Sequence, residues 1–133
     1  MIYFVDTSAL VKRYVNEAGS EYVRGLIATV ENFFYQSLLT PLEITSAFYR
    51  RHRMNELSSE ELTLALQAYV DHSHKEYILI PYSEVLLNTA GTLLARHPLR
   101  TLDAIQLAAA LDLQSTFLQR PRPLHLCLPI IVW

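Results

Sequence analysis

The chain has 133 residues, 51% of them apolar, and a formal net charge of −2. That is enough for one compact core and too apolar for a disordered chain. With so little net charge there is no global basic field, so any nucleic-acid contact has to come from local patches. The single cysteine, Cys127, excludes a disulfide framework and reads as a small buried apolar side chain in a reduced setting.

Ile2-Tyr3-Phe4-Val5 is apolar and partly β-branched, the pattern of a buried strand. Thr7 or Ser8 can cap the helix that follows, whose apolar face is Leu10, Val11, Tyr14 and Val15. Gly19 breaks it. A second helix from Ser20 carries Val23, Leu26, Ile27 and Val30 at helical spacing. Phe33 to Leu38 reads as a second strand. Thr40-Pro41-Leu42-Glu43 opens a helix with Ile44, Ala47 and Phe48 inward, and Arg50-Arg51-His52-Arg53 closes it, where cations suit the dipole. Ser58-Ser59-Glu60-Glu61 is a capping-box signature ahead of the stripe Leu62, Ala65, Leu66, Tyr69 and Val70.

Tyr77 to Ile80 reads as a third strand ended by Pro81. Ser83 caps a helix with Leu86, Ala90, Leu93 and Leu94 inside. Thr101 caps another with Leu102, Ile105, Ala108, Ala109 and Asp112, and its alanines suit close packing on a sheet. Thr116 to Leu118 is the candidate fourth strand and Ile130 to Val132 the fifth, at an edge. Strands alternating with helices predict a parallel α/β sheet covered on both faces. No linker or repeat interrupts 1–133. No apolar run approaches the ~20 residues that cross a bilayer, and no signal-peptide pattern opens the chain, so a soluble cytoplasmic protein is expected.

Three acids share one kind of position. Asp6 follows the first strand, Glu43 follows Leu38-Leu39-Thr40-Pro41-Leu42, and Asp103 follows Thr101-Leu102; each begins a helix. In an open α/β sheet such handovers gather outside the carboxyl ends of the strands, where ligands bind. Each acid alone has an ordinary explanation: Asp6 as a helix flank, Glu43 as the acid of a capping box with Thr40, Asp103 as a first-turn acid favoured by the dipole. Gathered together they would repel one another unless a hard cation neutralises them. The predicted chemistry is therefore metal-assisted attack on a phosphate ester, with Thr7 or Ser8 as supporting hydroxyls.

No competing motif appears: no glycine-rich phosphate loop, no HExxH or Cys/His zinc spacing, no nucleophile elbow. His72-Ser73-His74 reads as a solvated helix end. Basic candidates for phosphate contact are Lys12-Arg13, the run from Arg50 to Arg53, Arg96 with Arg100, and Arg120 with Arg122. Lys12, Arg13 and Arg100 lie nearest the acids in sequence. A small-molecule phosphohydrolase is disfavoured, because nothing suggests a small pocket with a nucleophile.

Phe4-Val5-Asp6-Thr7-Ser8-Ala9-Leu10-Val11-Lys12-Arg13-Tyr14 resembles the opening of PIN domains, especially VapC-type toxin ribonucleases. Leu42-Glu43-Ile44 with Ala47 and Arg50 resembles their second acidic motif. Leu99-Arg100-Thr101-Leu102-Asp103-Ala104-Ile105-Gln106-Leu107-Ala108 resembles the third, the most specific of the three. The resemblance runs to about Phe117. It implies a Rossmann-like sheet of about five parallel strands with helices on both faces. It also implies a Mg²⁺- or Mn²⁺-dependent endoribonuclease with Asp6, Glu43 and Asp103 as metal-binding acids, a cognate antitoxin, and a homodimer. From about residue 119 the pattern departs. The family commonly has a fourth acid in a segment like Phe-Leu-Ser-Ala-Asp-Arg; here Phe117-Leu118-Gln119-Arg120-Pro121-Arg122 puts Pro121 at that acid's place and Gln119 at the small hydroxyl's. A missing ligand implies weakened catalysis, or a PIN-like domain that binds RNA or an antitoxin without cleaving.

Overall fold

The computed structural model describes residues 1–118. The elements run β1 (Ile2–Phe4), α1 (Thr7–Tyr14), α2 (Ser20–Ile27), β2 (Phe33–Ser37), α3 (Thr40–Arg53), α4 (Ser59–Ser73), β3 (Tyr77–Ile80), α5 (Glu84–Arg96) and α6 (Thr101–Leu118). The strands form a parallel sheet in the order β1-β2-β3. Tyr3 stands opposite Phe34, and Phe34 opposite Tyr77. The amide of Val5 donates to the Tyr35 carbonyl at 2.8 Å, so the ladder reaches the residue before Asp6.

Strand side chains alternate between two cores, because successive residues point to opposite faces. Tyr3, Val5, Phe34 and Tyr77 pack with α1, α3 and α4 through Leu10, Ile44, Phe48 and Tyr69. Ile2, Phe4 and Ile80 pack with α5 and α6 through Leu86, Ala90, Ala104 and Ala108. Burial on both faces is why β1 reads as an unbroken apolar run rather than an alternating one. Leu10, Ile44 and Phe48 are fully buried, and each such side chain stabilises the fold by about 1.5–3 kcal/mol. The inward face of α6 is mostly alanine, which lets the helix lie close to the sheet.

Helix boundaries follow local chemistry. Ser58 and Glu61 form the reciprocal capping box, and Ser83 caps α5 by accepting from the Leu86 amide at 3.1 Å. Gly19 takes the left-handed conformation (φ 87°) that turns the chain into α2, and Asn55 (φ 58°) does the same after α3.

Several expectations are corrected. Thr116 to Leu118 is the last turn of α6, not a fourth strand: a β-branched and an aromatic residue suggest a strand, but the preceding alanine-rich helix simply continues through them. Among the described residues the sheet has three strands, and Ile130 to Val132 lies outside them. Asp6, not Thr7 or Ser8, is the N-cap of α1. Thr101 is the first residue of α6 rather than the residue before it. Val30, expected on an inward face, lies beyond the end of α2 and is almost fully exposed; Leu94 and Leu102 are also exposed. No helix among the described residues is long and apolar enough to cross a membrane.

Candidate active site

Asp6 leaves β1 in an extended conformation (φ −79°, ψ 169°), and its Oδ1 accepts from the Ala9 amide at 2.9 Å. The Ser8 hydroxyl lies 3.1 and 3.0 Å from Oδ1 and Oδ2. The cap role is therefore real, but it occupies chiefly one oxygen. Glu43 stands in the first turn of α3 and makes no capping box with Thr40; Leu39 is the N-cap and has no side-chain cap bond. Instead the Glu43 Oε2 accepts from the Thr7 hydroxyl at 2.8 Å and from the Gln106 amide nitrogen. Asp103, in the first turn of α6, is half-buried and makes no hydrogen bond among the described residues.

All three acids line one cavity of about 580 Å³, together with Thr7, Ser8 and Gln106. The carboxyl of Asp6 is held above its ordinary range. Burial is the main cause, and the charges of Glu43 and Asp103 add to it, against the bonds from Ala9 and Ser8 that favour the ionised form. The charges of Glu43 and Asp103 are thus near enough to be felt at Asp6.

The basic residues divide. Lys12 lines the cavity, but its Nζ is bound to Glu17 (2.8 Å) and to the Ala18 carbonyl (2.9 Å). Arg51, also at the cavity, pairs with the other oxygen of Glu17 and with Glu56 at 3.1 Å. Burial pushes the Glu17 carboxyl up, but Lys12 and Arg51 outweigh it and leave it below its ordinary range. Arg50 and Arg100 reach the cavity with exposed side chains and have no ion pair among the described residues. Arg13 does not reach it. It turns to the far side of α1, donating to Glu76 at 2.7 Å and to the Tyr77 hydroxyl.

Two cavity residues had not been singled out as functional. Gln106 lies three positions after Asp103, one turn along the same helix face, and that spacing was a readable signal. Glu17 had none, since its partners Lys12 and Arg51 meet only in the folded chain. The segment with Gln119 and Pro121 lies outside the described residues.

The donor set is all oxygen, which suits a hard cation. Among the described residues no three acids are already disposed to clasp an ion. Mg²⁺ does not require that, since it keeps several waters and commonly takes one or two carboxylates. Repelling acids and a buried amide oxygen without a donor, that of Gln106, fit such a hydrated ion.

A parallel sheet with helices on both faces and an acid at the start of three different helices, all opening on one cleft, is the architecture at hand. The family model described as PIN domain matches residues 3–120, and the chain belongs to the PIN domain family. Its fold is similar to that of the VapC20 toxin of Mycobacterium tuberculosis, described as a sarcin–ricin loop cleaving toxin. The TM-score is 0.65 at 20% sequence identity, over 86% of this chain and 84% of that one. No curated protein matches the chain.

Proposed function

We propose that this PIN domain is a metal-dependent endoribonuclease, the toxin of a toxin–antitoxin pair, cleaving RNA phosphodiester bonds with activated water. The observation that carries the reading is the meeting of Asp6, Glu43 and Asp103 in one cavity, with mutual repulsion at Asp6. The fold likeness to a toxin that cleaves the sarcin–ricin loop supports RNA as the substrate class. A cognate antitoxin and a homodimer belong to the same reading.

Asp6, Glu43 and Asp103 would hold Mg²⁺ or Mn²⁺, which when bound acidifies a coordinated water and offsets charge on the phosphate. The chain's own residues do the rest. Ala9 and Ser8 fix the Asp6 carboxylate, and Thr7 and Gln106 fix that of Glu43. Held in this way, Asp6 and Glu43 need little rearrangement when the substrate arrives, and Asp103 is the acid left to move. Arg50 and Arg100 are the cavity cations without an ion pair among the described residues, so they are the ones offered to RNA phosphates. Lys12 and Arg51, already matched by Glu17, shape the wall instead.

A second reading, a PIN-like domain that binds RNA or an antitoxin without cleaving, is favoured by one observation: among the described residues no three acids are disposed around a point. The two readings part on one experiment. RNA incubated with purified protein should be cut on addition of Mg²⁺ or Mn²⁺, and Asp6→Asn and Asp103→Asn should each abolish cutting. Binding of RNA without metal-dependent cutting, in the wild type as in both variants, would establish the second reading and end the first.

A further inference from the structure

Gln106 spans the gap between α6 and α3. Its Nε2 donates to the Glu43 Oε2 and lies 3.4 Å from the Thr40 hydroxyl. The orientation of the amide is fixed by chemistry, because its oxygen would meet a carboxylate if the group were turned over. The helix that carries Asp103 in its first turn is thus tied, one turn later, to the carboxylate of Glu43. Two donors, Thr7 and Gln106, converge on the same oxygen of Glu43. Its Oε1 is left without a bond from either, available to another partner.

The other end of the same amide is unsatisfied. The Gln106 Oε1 is buried and has no hydrogen-bond partner among the described residues. A buried acceptor without a donor is costly, so natural structures rarely keep one idle. The residue lines the cavity that the three acids share, with this oxygen just out of reach of water. A water molecule held by a cation there is a strong donor, and it is the kind of partner this oxygen lacks.

We propose that Gln106 is a positioning residue for the metal site, its Nε2 holding one oxygen of Glu43 so that the other is left for the cation, and its Oε1 brought by a small shift on metal binding to accept from a cation-bound water. The inference rests on the metal-dependent reading given above. It assigns to α6 a second role beyond carrying Asp103, since the helix would set the direction of the acid on the opposite wall.

The test is Mn²⁺ binding by calorimetry without RNA, on wild type and Gln106→Met, with thermal unfolding of both in the metal-free state. Methionine keeps the length of the chain and removes both amide groups. Mn²⁺ affinity should fall 10–100-fold, as is common when an outer-shell partner of a metal site is lost. Metal-free stability should hold or rise, because an unsatisfied buried oxygen is gone. In RNA cleavage at saturating Mn²⁺, kcat should fall more than KM rises. Unchanged Mn²⁺ affinity would overturn the proposal, as would a loss of metal-free stability with affinity intact, which is the mark of a merely structural amide. If Gln106→Met does not fold, Gln106→Asn serves: it keeps an amide too short to reach Glu43, and it should show the same loss of affinity. A wild type that binds no Mn²⁺ at all would instead remove the metal-dependent reading, and this proposal with it.

Discussion

Arg13 is the sharpest place to separate structure from function, because its sequence position suggested an RNA contact and the fold buries it elsewhere. Consider Arg13→Met, which retains most of the apolar stem and removes the guanidinium. The lost ion pair with Glu76 (2.7 Å) is partly solvated, so it contributes about 1 kcal/mol. The hydrogen bond to the Tyr77 hydroxyl contributes about 1 kcal/mol more. The guanidinium lies 5.7 Å from the centre of the Tyr14 ring and 5.6 Å from that of Tyr77, and each such contact is worth about 0.5–1 kcal/mol. The variant should therefore lose about 3 kcal/mol, or roughly 10 °C in Tm for a domain of this size. RNA affinity, measured on a catalytically silent Asp103→Asn background, should be unchanged. Arg100→Gln should behave in the opposite way: stability within about 0.5 kcal/mol of wild type, weaker RNA binding, and a salt dependence shallower by about 0.7 in log–log slope for the one lost phosphate contact. The assays are urea unfolding and fluorescence-anisotropy titration over a salt series. If Arg13→Met unfolds like wild type and loses RNA affinity, the assignment of Arg13 to the α1–β3 contact is wrong.

Two further outcomes follow from the core and from ionisation. Phe48→Ala removes a side chain with no solvent exposure and should cost about 3–5 kcal/mol in chemical denaturation; a loss under about 1 kcal/mol would mean the two-sided core is misplaced. His72 is held below its ordinary value of 6.5, first by burial and then by Arg13, against the pull of Glu76 and Asp71. The unfolded chain then binds that proton more readily, so stability present above about pH 6.5 is lost as pH falls below it. Glu17 is lowered too, its pairs with Lys12 and Arg51 outweighing burial, and it adds a second loss as pH falls below about 4.5. Unfolding midpoints should drop in these two steps, and His72→Gln should erase the first; a variant that keeps both steps would assign the upper one to another group.

Much of the architecture was readable from local pattern. The apolar strand before Asp6, the Ser58–Glu61 capping box and the helix starts that carry Glu43 and Asp103 depend on neighbours within a turn or two, and all stand within about a residue of where expected. What was not readable depends on distance in sequence. Arg13 meets a partner 63 residues away, and Lys12 is claimed by Glu17, which is bound in turn by Arg51 from α3. Nothing in the spacing of these residues announces such pairs. The last turn of α6 was misread for another reason: an alanine-rich helix buried along much of its length lacks the contrast between faces that marks its end. Gln106 stood in plain view beside Asp103, but an amide shows its role only once both of its ends have been traced.

Ala104, Ala108 and Ala109 are the most enclosed residues of α6. One methyl group is all that separates that stretch of backbone from the sheet and α5, so their size sets how closely α6 lies on them. A leucine at any of the three would act as a wedge, pushing α6 off the sheet and carrying Asp103 with it while leaving every charged group chemically intact. The placing of that carboxylate against the sheet is thus set by three of the plainest side chains in the molecule.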